Sequence, residues 1–289
     1  MVERWRRNYG PEVASKICQY DQYEPHATIR LYDPQLTSDQ LRKEGVQLEP
    51  GALLAHAAAV RAGAISGTQA FREHRLVIQD EASQLVALLV GKGKRVLDCC
   101  AAPGGKTRIL AEVNPDSAIL AMELHPHRAA LLRKLVSVSN LRIIAADVRQ
   151  MPLAIEFDRV LVDAPCSGTG TLARNPEIKW RLRESDLLRL QAYQRHILQS
   201  AMKYVQRGGR LLYSTCSLEP EENEQVIERV LAEERGFRVV ECRAELHALF
   251  DRGELRWPQI ESLVSNSYLR TTQGVHPCDG FFAAILQKS

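Results

Sequence analysis

From about residue 76 onward, short apolar runs alternate with stretches in which apolar positions recur every three or four residues. The runs read as buried strands and the periodic stretches as amphipathic helices. Asp80 is placed to cap a helix reaching Leu89. Residues 94–100 form a strand, 101–105 a turn of small residues, and Lys106 to Glu112 a helix. Strands at 117–123, 141–147, 157–163 and 208–216 alternate with helices at 126–138, 184–206 and 221–234. A last strand at 280–286 is expected to pair near 237–241. This alternation predicts an α/β fold with a doubly wound, mostly parallel sheet.

Residues 1–75 lack that rhythm and read as a small α/β segment, so the chain divides into 1–75 and 76–289. Trp5 and Tyr9 stand at helical spacing among Arg4, Arg6 and Arg7, with no capping residue before them. They read like the middle of a helix, as if the chain began inside a longer parent. The three arginines read as ordinary surface. Pro11 opens a helix to about Cys18, residues 26–32 alternate like a strand, and short helices are expected from Ser38 and from Pro50.

In sheets of this kind ligands sit at the carboxyl ends of the strands, so the residues there matter most. The first strand ends in Cys100-Ala101-Ala102-Pro103-Gly104-Gly105-Lys106, small enough for backbone N–H groups to approach a ligand at a helix start. Neither the phosphate-loop nor the dinucleotide glycine pattern is present. The second strand ends at Glu123, fit to accept ribose hydroxyls, and the third at Asp147, fit to accept an adenine amino group. Taken singly these are a structural turn, a solvated glutamate and a capping aspartate. Taken in register they outline a pocket for an adenosine-containing ligand. The fourth strand ends in Asp163-Ala-Pro-Cys166 and the fifth in Ser214-Thr-Cys216. Two cysteines at the ligand edge of neighbouring strands suggest thiolate chemistry, with Lys106 a candidate for the charge that activates it.

Composition narrows the class. The chain has 289 residues, 45% hydrophobic and 25% charged, which excludes wholesale disorder, collagen and coiled coil. No apolar run approaches the roughly 20 residues of a membrane span, and no signal-like segment follows Met1, so the cytoplasm is the default. Seven cysteines without C-x-x-C spacing are expected as free thiols and bind no metal. Cys18, Cys99, Cys242 and Cys278 read as structural. The net charge of +3 permits a nucleic-acid partner without requiring one.

Three stretches carry a resemblance: Val-Leu-Asp-Cys-Cys-Ala-Ala-Pro-Gly-Gly-Lys-Thr at 96–107, Asp-Ala-Pro-Cys-Ser-Gly-Thr-Gly at 163–170, and Tyr-Ser-Thr-Cys-Ser-Leu-Glu-Pro-Glu-Glu-Asn-Glu at 213–224. The sequence resembles the Sun/NOL1/NOP2 family of S-adenosylmethionine-dependent RNA cytosine-C5 methyltransferases. Residues 79–84, 174–180 and 279–284 resemble its bacterial ribosomal branch, which acts on 16S ribosomal RNA. Members of that branch carry a further N-terminal helical RNA-binding domain resembling an antitermination factor, and this sequence does not contain it. The resemblance implies a Rossmann-like class I methyltransferase fold with an antiparallel C-terminal strand. It also implies a cofactor site of residues 100–106, Glu123, Asp147 and Asp163. By the same resemblance Cys216 adds to C6 of the base. Asp163, either protonated or through the N3 and N4 edge, steadies the ring. Cys166 assists removal of the C5 proton, and Lys106 orients Asp163 or the nucleophile. Arg174, Lys179, Arg181 and Arg183 are expected along the RNA path, and Trp180 either stacks on a base or anchors the core. A monomer acting on small-subunit ribosomal RNA is expected. A DNA cytosine methyltransferase fits less well, because Glu222-Asn223 is followed by Glu224 where that class has valine. A ribosome-assembly factor that keeps the fold without the reaction is the other alternative.

Overall fold

In the computed structural model, which describes residues 1–33, 35–150 and 154–289, the chain opens with α1 (Val2–Tyr20). This helix bends at Gly10, whose φ of 82° interrupts it just before Pro11. Proline lacks an N–H and clashes with the preceding turn, so a new helical segment starts there. Then come β1 (Thr28–Leu31), α2 (Ser38–Lys43), β2 (Gln47–Pro50), β3 (Ala57–Ala62), α3 (Gln69–Arg72) and β4 (Leu76–Ile78). The four strands form an antiparallel sheet in the order β2-β3-β1-β4, closed over Ile29, Leu41, Val46, Val60 and Leu76.

The helix expected from Pro50 is absent. The N–H groups of Ala52, Leu53 and Leu54 converge instead on the buried carboxylate of Glu81, at 3.0, 2.8 and 2.7 Å. Three backbone donors wrapped around one carboxylate hold a turn between two strands rather than a helix.

Helix α4 (Glu81–Leu89) follows, capped by Asp80, which accepts the N–H of Ala82 at 2.9 Å. The remaining elements are β5 (Arg95–Asp98), α5 (Gly105–Val113), β6 (Ala118–Glu123), α6 (Pro126–Leu135), β7 (Leu141–Ala145), β8 (Phe157–Asp163), α7 (Ile178–Arg181) and α8 (Glu184–Met202). They continue through β9 (Val205–Thr215), α9 (Glu224–Glu233), β10 (Phe237–Val240), α10 (Cys242–Asp251), β11 (Val264–Ser265), β12 (Tyr268–Thr271) and β13 (Phe281–Lys288). The second sheet runs β11-β12-β13-β9-β8-β5-β6-β7, with β10 on β13. Strands β5 to β9 are parallel, and β13 is antiparallel to β9. Central strands are apolar on both faces, as helices on both sides require. Val96, Leu161 and Leu212 point to one core, while Leu97, Val160, Leu211 and Tyr213 point to the other.

Two differences from expectation have local causes. Helix α8 stops at Met202 because Val205, fully buried, already pairs with Phe157 of β8. Helix α9 starts at Glu224, since Pro220–Glu222 form a tighter turn. Elements α10, β11 and β12 were not anticipated. The strand order reverses between β5 and β8, and the crevice there is bordered by Asp98 and Asp163 at their ends. Among the described residues no helix is long and apolar enough to cross a membrane.

Candidate active site

The turn after β5 is built for close approach. Gly104 has φ 119°, and a Cβ there would collide with Leu132 of α6 and with Val136 just past its end. Only glycine suits both conditions. Helix α5 begins at the next residue, so its free N–H groups face the crevice. Asp98, which the sequence reading passed over, ends β5 fully buried. One of its oxygens accepts from the Thr107 hydroxyl at 2.7 Å, and the other has no partner among the described residues. Burial pushes its carboxyl up to about 7.

A cavity of about 430 Å³ opens at the strand ends, bordered by Cys100, Ala102, Glu123, Asp147, Asp163 and both strand-end cysteines. Glu123 is buried, which removes the solvated-loop alternative. It accepts the N–H groups of Ala102 at 3.3 Å and His125 at 3.0 Å. Asp147 accepts from the backbone and side chain of Arg149, and the side-chain hydrogen bonds hold it below the usual carboxylate range. It thus both caps a short turn and faces the cavity. A second cavity of about 350 Å³ lies across the 102–105 turn, lined by Tyr32, Phe71, Ile78, Gln79, Lys106 and Asp163. Cys100, Ala102 and Asp163 border both.

The sequence expectation of adjacent thiols is met in space. Cys166 Sγ and Cys216 Sγ lie 3.3 Å apart, a hydrogen-bond distance well beyond the roughly 2.05 Å of a disulfide. The hydrogen bond to Cys216, followed by burial, pushes the Cys166 thiol well above its ordinary value. Either sulfur can donate to the other across this contact. Among the described residues Lys106 hydrogen-bonds to neither thiol, and its contact is with Asp163. Its ammonium donates to Asp163 Oδ2 at 2.7 Å, while the Ser214 hydroxyl donates to Oδ1 at 2.7 Å. Lys106 and Ser214 thus hold one oxygen each of Asp163. Cys99, Cys242 and Cys278 are buried in the packing, as read.

The residues expected along a nucleic-acid path separate into two groups. Arg174 is bound inward, to Asp279 Oδ2 at 2.9 Å, Asp80 Oδ2 at 3.2 Å and the carbonyl of His26 at 3.3 Å. It ties the loop after Cys166 to α4 and the C-terminal strand and is not a free cation. Lys179 donates to the carbonyl of Asp21 at 3.1 Å, and Arg181 and Arg183 are exposed. Trp180 is 88% exposed, so it anchors no core. Arg4, read as ordinary surface, instead bonds Glu184, Glu219 and Glu221.

Comparison with known proteins matches residues 85–287 to the family described as 16S rRNA methyltransferase RsmB/F. The chain is 34% identical over its whole length to the probable ribosomal RNA small subunit methyltransferase B of Bacillus subtilis (strain 168), 65% of which it covers. It is also 34% identical, over 96% of its length, to ribosomal RNA small subunit methyltransferase B of Pseudomonas syringae pv. tomato, 63% of which it covers. It thus spans less than two thirds of these relatives. A methyltransferase homolog protein from Pyrococcus horikoshii superposes with TM-score 0.78 at 26% identity, covering 99% of this chain and 94% of that one. NSun6 from the same organism, solved with SFG, superposes with TM-score 0.82 at 21% identity, covering 100% and 97%, and shares the fold.

Proposed function

Because the chain belongs to the 16S rRNA methyltransferase RsmB/F family, we propose that it methylates carbon 5 of a cytosine in small-subunit ribosomal RNA, with S-adenosylmethionine as donor and a covalent bond from Cys216 to C6 as intermediate. The supporting observation is the pair of free thiols at the carboxyl edge of β8 and β9. The cavity residues fit the cofactor. Glu123 offers a buried carboxylate for ribose hydroxyls, Asp147 an acceptor for the base, and the 100–106 turn and α5 N-terminus a cradle for the charged tail. Bound there, S-adenosylmethionine supplies an electrophilic methyl group.

The protein's own groups supply the remaining steps. Cys216 Sγ, its proton passed to water, bonds to C6, and the displaced electron pair makes C5 nucleophilic. Asp163, steadied by Lys106 and Ser214, accepts from the N4 amino group, and the Lys106 ammonium lies beside the ring as its electron density rises. Once C5 carries the methyl group, Cys166 gives up its own proton to water and stands as a thiolate beside the ring. That thiolate takes the C5 proton, which restores the Cys166 thiol, and the electron pair left behind expels Cys216 from C6 as its thiolate. The base reaches these groups only by leaving its stack. Lys179, Trp180, Arg181 and Arg183 supply the exposed basic and aromatic surface for the flanking strand, and residues 1–75 form an accessory surface for RNA in a cytoplasmic enzyme.

Transfer of labelled methyl to unmethylated small-subunit ribosomal RNA tests this. Wild type should label 5-methylcytosine. Cys216→Ala should abolish both label and adduct, while Cys166→Ala should accumulate an RNA adduct stable to denaturing gels. The opposite pattern would reverse the two cysteines' roles. Binding of RNA and cofactor without label would favour the assembly-factor alternative.

A further inference from the structure

Glu222 is fully buried beneath the two cysteine loops, and the mechanism above gives it no part. Its Oε1 accepts the backbone N–H of Ser167 at 2.8 Å and the side-chain amide of Gln194 at 2.8 Å. Its Oε2 accepts the hydroxyls of Ser167 and Ser217. Those hydroxyls lie 3.0 Å from each other. Ser167 follows Cys166 and Ser217 follows Cys216, so one carboxylate grips the residue beside each thiol. No cation pairs with Glu222 among the described residues, and burial pushes its carboxyl above the usual range. A carboxylate this deep is tolerated only because four donors converge on it. The neighbouring Asn223 reinforces the grip. Its amide donates to the carbonyl of Ser217 at 2.8 Å, and its oxygen accepts from Thr215.

We propose that Glu222 is a positioning residue that fixes the separation and direction of the Cys166 and Cys216 sulfur atoms. It acts through the two serines and does not touch the substrate. The thiols serve adjacent ring atoms in successive steps, so a loop displacement on the order of 1 Å should slow the reaction about a hundredfold. That consequence rests on the methyl-transfer reading, whereas the grip on the loops does not.

The geometry is tested without RNA. Diamide oxidises the two thiols to a disulfide and is itself reduced to the hydrazine, and peptide mass mapping reads the Cys166–Cys216 crosslink. In Glu222→Ala the crosslink should form at least about tenfold more slowly than in wild type. Glu222→Gln keeps a carbonyl for the two N–H donors, and the serine hydroxyls can turn to accept from its amide, so it should crosslink within about threefold of wild type. Melting curves and S-adenosylmethionine binding establish that each variant is folded. Should Glu222→Ala fail that check, Ser167→Ala/Ser217→Ala removes the same bridge and should slow crosslinking equally. In methyl transfer, Glu222→Ala should lower kcat about a hundredfold with KM for RNA and cofactor affinity within about twofold, and Glu222→Gln should restore most of the rate. Crosslinking of the alanine variants at the wild-type rate would overturn the proposal, as would equal slowing by Gln and Ala. Slowed crosslinking in a protein whose wild type transfers no methyl would sustain the clamp and sink the reaction.

Discussion

Asp98 and Asp163 end adjacent strands but differ in the groups around them. Asp163 has an ammonium and a hydroxyl, whereas the side-chain partner of Asp98 among the described residues is the hydroxyl of Thr107. Burial therefore lifts the Asp98 carboxyl from 3.8 to about 7. Between those values the folded protein holds a proton that the unfolded chain has released, so stability falls as pH rises through that window. Asp98→Asn mimics the protonated group and removes the fall. Relative to wild type it should gain on the order of 4 kcal/mol between pH 4 and pH 8, read by urea denaturation at both. A difference that stays constant with pH would mean Asp98 does not titrate in that window. Glu123, Asp147 and Asp163 were legible as strand-end acids because a parallel sheet brings successive strand ends to one edge. What each acid pairs with was not legible. Arg149 lies two residues from Asp147 and could have been suspected, but Lys106 is 57 residues from Asp163.

Helix α1 shows how much an element's role depends on contacts remote in sequence. Its periodicity gave a helix containing Trp5 and Tyr9, but nothing local indicated what that helix covers. Trp5, Ala14 and Ile17 pack against Leu172 and Leu218, in the loops that follow Cys166 and Cys216. The Trp5 indole donates to Glu219 at 3.2 Å, and Arg4 bonds Glu219 at 2.9 Å. The N-terminal helix thus braces the loop that carries Cys216, across more than 200 residues of chain. Trp5 is 2% exposed, and Trp5→Ala should lower unfolding free energy by about 3 kcal/mol, measured by urea denaturation. A loss under about 1 kcal/mol would show that α1 rests on the loops without supporting them. The same remoteness explains the missed turn at 51–54. Its organising group is Glu81, which lies 27 residues beyond Leu54 in the chain and which no local pattern connects to it.

On the scale of the whole molecule, the five parallel strands were legible because each is an apolar run ended by small or acidic residues. The C-terminal strands β11 and β12 were not, since β11 is two residues long and β12 four, too short for a period to emerge. The net charge of +3 is also too small to hold a polyanion by itself, so the proposed RNA affinity must come from local surface. Charge and stacking on that surface separate experimentally. Each arginine that meets a phosphate of single-stranded RNA contributes about 0.7 to the slope of log affinity against log salt. Stacking on an aromatic ring contributes about 1–3 kcal/mol per base. Arg181→Gln/Arg183→Gln should therefore weaken RNA binding and flatten the salt slope by about 1.4. Trp180→Ala should weaken binding by about 1–3 kcal/mol with the slope unchanged. Arg174→Gln should act differently again, lowering the melting temperature by unpairing Asp80 and Asp279 while leaving the salt slope as in wild type. Fluorescence anisotropy with a labelled ribosomal RNA fragment at several salt concentrations reads binding and slope together. A flattened slope in Arg174→Gln, or none in the Arg181/Arg183 pair, would move the RNA path off α7 and toward the loop that Arg174 holds.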